Sequence, residues 1–169
     1  RAFKGYTWEV PEERLYDEDT NHYEKAENHA LLPFVQLNNA SNPEKEFEAY
    51  LEANKEYIDW WYKNGDSGRQ HYSIEYMDIA NTPSLFFIDF VIRMKNGNIY
   101  LFDTKSAGSD MNAANKHNAF IAYMNEHRDL GIKGGGIIIQ DGDNWRYSPL
   151  PISNTHEIVN WNCFYPQNA

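Results

Sequence analysis

The chain has 169 residues, enough for one domain, with 12 Tyr, 9 Phe and 5 Trp to build a core and a formal net charge of -10. That charge argues against a freestanding basic nucleic-acid binder, because neutralising phosphates needs clustered Lys and Arg, but it leaves room for a carboxylate-rich metal site. A single cysteine, Cys163, excludes a disulfide framework or a cysteine-based zinc site within the chain and suits the reducing cytoplasm, and no stretch approaches the ~18 consecutive apolar residues of a membrane span.

The opening "RAFKGYTWEV" has neither an initiator Met nor a signal-peptide pattern and reads as the continuation of a longer polypeptide. Residues 1–42 form an acidic, irregular extension, in which "EVPEERLYDEDTNHYEKAE" carries eight acids against two basic residues. Trp8, Tyr16 and "LLPFV" (31–35) are its points of packing onto the domain of residues 43–169.

"SNPEKEFEAYLEANKEYIDWWYKNGDSG" predicts a helix with its start marked. Ser41 or Asn42 can cap it, Pro43 suits the first turn, and acids follow where the helix dipole favours them. Phe47, Tyr50, Leu51, Asn54 and Ile58 share one face at helical spacing, and Asn64-Gly65 ends the element or begins the loop after it. The period then changes. "RQHYSIEYMD" alternates like a strand, "SLFFIDFVIRM" predicts a second strand and "NIYLFDTKS" a third, joined around Lys95-Asn96-Gly97. The second and third are apolar on both faces, so they belong to a sheet covered on both sides. "DMNAANKHNAFIAYMNEHRDLG" is helical, with Ala114, Phe120, Ile121 and Met124 near one side and Gly131 at its end. "GGGIIIQDGDNWRYSPL" predicts a strand, an Asp-Gly turn and a strand. "THEIVNWNCFYPQ" is a short aromatic terminal element that packs on the body. The expected fold is α/β, a mixed central sheet flanked by helices in the order α-β-β-β-α-β-β.

Two carboxylates stand out. Asp89 interrupts "LFFIDFVI" and Asp103 interrupts the next apolar run, and a buried carboxylate is costly unless paired or bound to a metal. One shared divalent cation accounts for both. Magnesium prefers carboxylate and water oxygens, and such an ion activates a water and stabilises charge on a phosphoryl oxygen. Lys105 lies two residues beyond Asp103 and points to the same face. A shared ion makes a demand on the hairpin. A two-residue Asn96-Gly97 turn sends Asp89 and Asp103 to opposite faces, whereas a three-residue loop pairs 94 with 98 and 89 with 103 and puts Gly97 in the left-handed position. On a helical wheel Glu44 lies roughly 60° from Phe47, on the side of Leu51, whereas Glu46 and Glu48 lie roughly 100° away. Glu44 is thus the third candidate acid, beside its simpler role as a first-turn acid.

The order helix, three strands, helix, strand, with Ile88-Asp89 and Asp103-Thr104-Lys105 on consecutive strands, resembles the PD-(D/E)xK restriction-endonuclease-like superfamily. "EKEFEAYLEAN", "IDWWYKNGD", "FFIDFVIRMKNG" and "FDTKS" are similar to one branch, the C-terminal nuclease domain of type III restriction enzyme Res subunits and DEAD/DEAH-type helicases. The resemblance covers roughly residues 43–125. It implies a restriction-endonuclease-like core that cleaves DNA, with Mg2+ or Mn2+ held by Asp89, Asp103 and Glu44, and Lys105 serving phosphodiester hydrolysis. It also implies a helicase or translocase domain in the same polypeptide, which alone would use ATP, and a Mod-like DNA methyltransferase subunit as a partner. Ile88 replaces the motif's proline, and Asp103 stands where many members have Glu.

Other features lead elsewhere. Lys116 could approach a phosphate or simply face solvent, and Asp110 is expected to cap the second helix. His117-Asn118 has no partner histidine at useful spacing for a histidine-metal nuclease. Trp60 and Trp61 read as core aromatics before base-stacking ones, and "GIKGGGIIIQ" lacks the Gly-Lys-Ser/Thr ending of a phosphate loop. Two alternatives stand beside the nuclease. One is a non-catalytic docking or DNA-positioning module of the same fold. The other is a carbohydrate-active module, which predicts Trp on an exposed platform and no lysine beside the acids.

Overall fold

The computed structural model describes residues 21–24, 27–30, 34–37, 41–65 and 72–169. Trp8, Tyr16 and Leu31 to Pro33 lie outside them. Within the acidic extension, expected to be irregular, β1 (Asn21–Glu24) and β2 (Phe34–Leu37) pair antiparallel. Between them His29 forms a parallel bridge to Trp61, with Ala30 N–H donating to the Trp61 carbonyl at 2.7 Å. Residues 28–30 therefore dock on the edge of the main sheet.

Helix α1 (Asn42–Ala53) starts as its sequence predicts. Ser41 Oγ accepts the Glu44 N–H at 3.3 Å and Glu44 Oε2 accepts the Ser41 N–H at 3.0 Å, a capping box. Phe47 and Leu51 are fully buried, each contributing about 2 kcal/mol by removal from water. The helix ends ten residues earlier than expected. Asn54 leaves helical geometry, a single 3-10 turn follows at Lys55–Tyr57, and the chain enters β3 (Ile58–Lys63). Ile58 fell in helical phase with Phe47 and Leu51 by coincidence. "IDWWYK" is β-branched and aromatic, which suits a strand, and its residues are buried on both faces apart from Asp59, so no alternation betrayed it.

The strand expected over "SLFFIDFVIRM" is divided. β4 (Ile74–Met77) and β5 (Pro83–Phe86) make a separate antiparallel hairpin, and β6 (Phe90–Met94) starts after a break at residues 87–89. β7 (Ile99–Lys105) follows, then α2 (Ala113–Glu126), β8 (Ile132–Asp141), β9 (Asn144–Tyr147) and β10 (Asn162–Cys163). The six-stranded sheet runs β10-β9-β8-β7-β6-β3. Only β7 and β8 are parallel, as a crossover through α2 requires. The sheet is mixed and covered on both sides. Phe47 and Leu51 of α1 pack with Phe90, Ile92 and Phe102, while Phe120 and Ile121 of α2 pack with Val91 and Leu101. These are alternate residues of β6 and β7, so the helices lie on opposite faces.

The hairpin register is the one a shared site demands. Phe90 pairs with Phe102 and Arg93 with Ile99, and Met94 N–H donates to the Asn98 carbonyl at 2.8 Å. The loop is Lys95-Asn96-Gly97, with Gly97 at φ 92°, and the same register carried one step outward sets Asp89 opposite Asp103.

Candidate active site at the sheet end

The break before β6 frees Asp89 from the strand ladder, and Asn64 holds the break. Asn64 N–H donates to the Asp89 carbonyl at 2.7 Å, and its side-chain amide donates to the carbonyls of Ile88 at 2.8 Å and Tyr72 at 2.7 Å. The Asp89 carboxylate turns toward β7, where Oδ2 accepts from the Thr104 N–H at 2.9 Å and the Thr104 hydroxyl at 3.0 Å. Asp103 answers across the hairpin: its Oδ1 accepts the Asp89 N–H at 3.2 Å.

Asp103 is only 3% exposed, and among the described residues its Oδ2 has no hydrogen-bond donor. The nearest cation is the Lys105 ammonium at 3.4 Å, which is shared with Asp110 at 3.5 Å. Burial first, and then the neighbouring Asp89 carboxylate, push the Asp103 pKa well above the usual carboxylate range. Burial works against the Lys105 charge, but Asp103, Asp89 and Asp110 outweigh it and hold its pKa above the ordinary lysine value. Lys105 is therefore an ammonium at neutral pH, a donor and not a base.

Glu44 reaches the same cluster from the first turn of α1. Burial raises its pKa, Lys63 opposes that rise, and the adjoining Asp89 carboxylate adds to it. Its Oε2 also serves the capping box, as expected of a first-turn acid. Glu48, one turn further on, is buried on the same helix. Asp110 was expected to cap α2. Instead the helix begins at Ala113, and Asp110 is an ion-pair hub, 2.8 Å from Lys116 and 3.5 Å from Lys105. Burial raises the Asp110 pKa, but the hydrogen bonds from Lys116 and from the Asn112 N–H lower it further and prevail.

Sequence reasoning missed Lys63, at the end of β3, and Asn64, just beyond it, because that segment was read as helix. Lys63 Nζ lies 3.6 Å from Asp89 Oδ1. The signal was present: "DWWYK" is an apolar run ending in lysine at the sheet rim, as "YLFDTK" is. The weaker candidates resolve structurally. His117 is fully buried and bonded to backbone, and Trp60 and Trp61 are core residues in β3. Among the described residues no tryptophan is exposed and two lysines stand beside the acids, against both expectations of a carbohydrate-active module.

No three His, Cys, Asp or Glu side chains among the described residues form a ligating group. Magnesium keeps several waters and is commonly held by one or two carboxylates, so an Asp89–Asp103 pair with a buried oxygen that has no hydrogen bond among the described residues fits it. No helix among the described residues is long and apolar enough to cross a membrane. Comparison with known proteins gives no matching family model, no matching curated protein and no matching solved structure.

Proposed function

We propose that this chain is a Mg2+- or Mn2+-dependent endonuclease domain that hydrolyses phosphodiester bonds of DNA. The observation that carries the reading is the buried Asp103 carboxylate beside Asp89, whose Oδ2 has no hydrogen bond among the described residues and meets the Lys105 ammonium at 3.4 Å at the end of β7. Like carboxylates forced together by the fold, with one buried oxygen lacking a hydrogen bond, are what a cation site needs. The run of α1, β3, β6, β7, α2 and β8, with three antiparallel strands followed by a parallel one, supports the resemblance to the PD-(D/E)xK core.

In this reading Asp89 and Asp103 hold the ion, and Glu44 stands beside Asp89. When bound, the ion supplies Lewis-acid chemistry at a phosphoryl oxygen and a more acidic water. Water oxygen adds to phosphorus and releases a proton to solvent, the bond to the leaving sugar oxygen breaks, and that oxygen takes up a proton from solvent. Lys105, 25% exposed, faces the entry side. It orients the attacking water and offsets the charge that grows on the phosphate. Lys116, held by Asp110, adds a second cation to grip the phosphate. The net charge of -10 leaves most of the grip on DNA to other parts of a longer polypeptide. A cytoplasmic helicase-type translocase with a methyltransferase partner is the context proposed for it.

The test is plasmid cleavage with Mg2+ or Mn2+ by the longer polypeptide, comparing wild type with Lys105→Ala and Asp89→Asn. Lys105→Ala should lose about 10²–10³-fold or more in rate with folding and metal affinity kept, while Asp89→Asn should lose metal binding. Undiminished cutting by either variant overturns the assignment, and no cutting by wild type would favour the non-catalytic module.

A further inference from the structure

The acid pair meets two lysines, and they are placed very differently. Lys105 approaches Asp103 from the solvent side and is shared with Asp110. Lys63 approaches Asp89 from the α1 side and is sunk in the protein, with its side chain 8% exposed. Its ammonium donates to the Asn64 carbonyl at 3.3 Å and lies 5.3 Å from the centre of the Phe90 ring. Its own N–H donates to His29 Nε2 at 3.0 Å. A lysine sunk this deeply is placed to compensate Asp89 and not to meet a substrate.

The carboxylate oxygens divide accordingly. Asp89 Oδ2 is used by Thr104 and Asp89 Oδ1 faces Lys63. Asp103 Oδ1 is used by the Asp89 N–H, and among the described residues Asp103 Oδ2 meets only the Lys105 ammonium at 3.4 Å, a partly exposed cation that is shared with Asp110. Two-metal phosphodiester sites hold their ions about 3.5–4 Å apart, each on carboxylate oxygens. Here the second such position, between Asp89 and the first turn of α1, already holds a positive charge.

We propose that the Lys63 ammonium is a resident cation that takes the Glu44 side of Asp89, so that the site accepts a single divalent ion on the Asp103 side. This rests on the metal-site reading above and deepens it. Lys63 also keeps Asp89 compensated when no metal is bound, so the sheet end folds before the ion arrives. The charge that does this repels the ion, and metal affinity is set lower than the carboxylates alone would give.

The experiment measures Mn2+ binding to the 169-residue chain by equilibrium dialysis, together with thermal midpoints in EDTA and in Mn2+, for wild type, Lys63→Met and Lys63→Arg. Wild type should bind one ion per chain. Lys63→Met keeps the stem but not the charge. It should melt several degrees lower in EDTA, bind Mn2+ several-fold more tightly, and gain more from Mn2+ than wild type does. Lys63→Arg should restore the midpoint in EDTA without tightening binding. Two ions on wild type, or a Lys63→Met variant with unchanged or weaker Mn2+ affinity, would overturn the proposal and leave the metal site standing. Absence of Mn2+ binding by wild type at millimolar concentration would instead overturn the metal site and this proposal with it. Should Lys63→Met fail to fold, the wild-type stoichiometry still decides.

Discussion

Two buried polar clusters lie against the same sheet, and they are built on opposite principles. At α2, His117 is fully buried with both ring nitrogens answered: Nδ1 accepts the Ile137 N–H at 3.1 Å and Nε2 donates to the Leu150 carbonyl at 3.0 Å. Asn118 donates to the Ile152 carbonyl at 2.8 Å and accepts the Ile152 N–H at 2.7 Å. Every partner is neutral backbone, and the cluster clamps residues 150–152 onto the helix. At the sheet end, two aspartates face each other with an ammonium at either side, and Asp103 Oδ2 has no hydrogen bond among the described residues. Buried polar groups that are satisfied add rigidity, whereas like charges left partly unsatisfied weaken a fold unless something else is bound there.

The difference is sharpest in the first substitution. His117→Ala orphans the Ile137 N–H and the Leu150 carbonyl and opens a cavity against Gly136, whose Cβ position is filled by the imidazole. It should destabilise the chain by about 3 kcal/mol, read by urea unfolding, with Mn2+ affinity unchanged. A cost near zero would mean that the cluster is not structural.

Asp103→Asn should do the reverse. It removes a buried charge beside Asp89 while keeping an acceptor for the Asp89 N–H. The metal-free chain should gain on the order of 1 kcal/mol and lose Mn2+ binding. A less stable variant would show that the acid pair is well compensated without a metal.

The two clusters also bend the pH profile in opposite directions. The folded Asp103 pKa lies above its ordinary 3.8, so between those values the native state holds a proton that the unfolded chain has released. Stability in EDTA from this group falls as pH rises through that window and is recovered below it. Burial lowers the His117 pKa from 6.5. Its contribution is complete above 6.5 and is lost as pH falls through the lowered folded value. Urea unfolding across pH in EDTA should show the acid-side gain disappear in Asp103→Asn, while the neutral-to-acid loss remains. A profile unchanged by Asp103→Asn would remove the strain argued for the acid pair.

The smallest expected effect tests the hairpin that joins the acids. Gly97 has φ 92°, with no atom within 4 Å of an added Cβ. Gly97→Ala should therefore cost only the backbone term, about 1 kcal/mol, and leave Mn2+ affinity intact. A larger loss accompanied by weakened metal binding would mean that the loop shifts the 89-to-103 register.

Several features were legible in the amino-acid order because their causes are local. Ser41, Pro43 and Glu44 mark the start of α1 through bonds within one turn. Lys95-Asn96-Gly97 sets the hairpin through a single left-handed residue. Asp89, Asp103 and Lys105 are visible as charges breaking apolar runs. Tertiary structure decided the rest. "IDWWYK" became a strand because β6 offers it a ladder and both sheet faces bury it, and a doubly buried strand has no period to distinguish it from a helix. The run through Asp89 was divided because β5 pairs with β4 and Asn64 bonds the crossing from 24 residues away. Lys63 joined the acids for the same reason, since its position depends on which strand lies beside β6, and pairing between distant segments leaves no trace in local spacing.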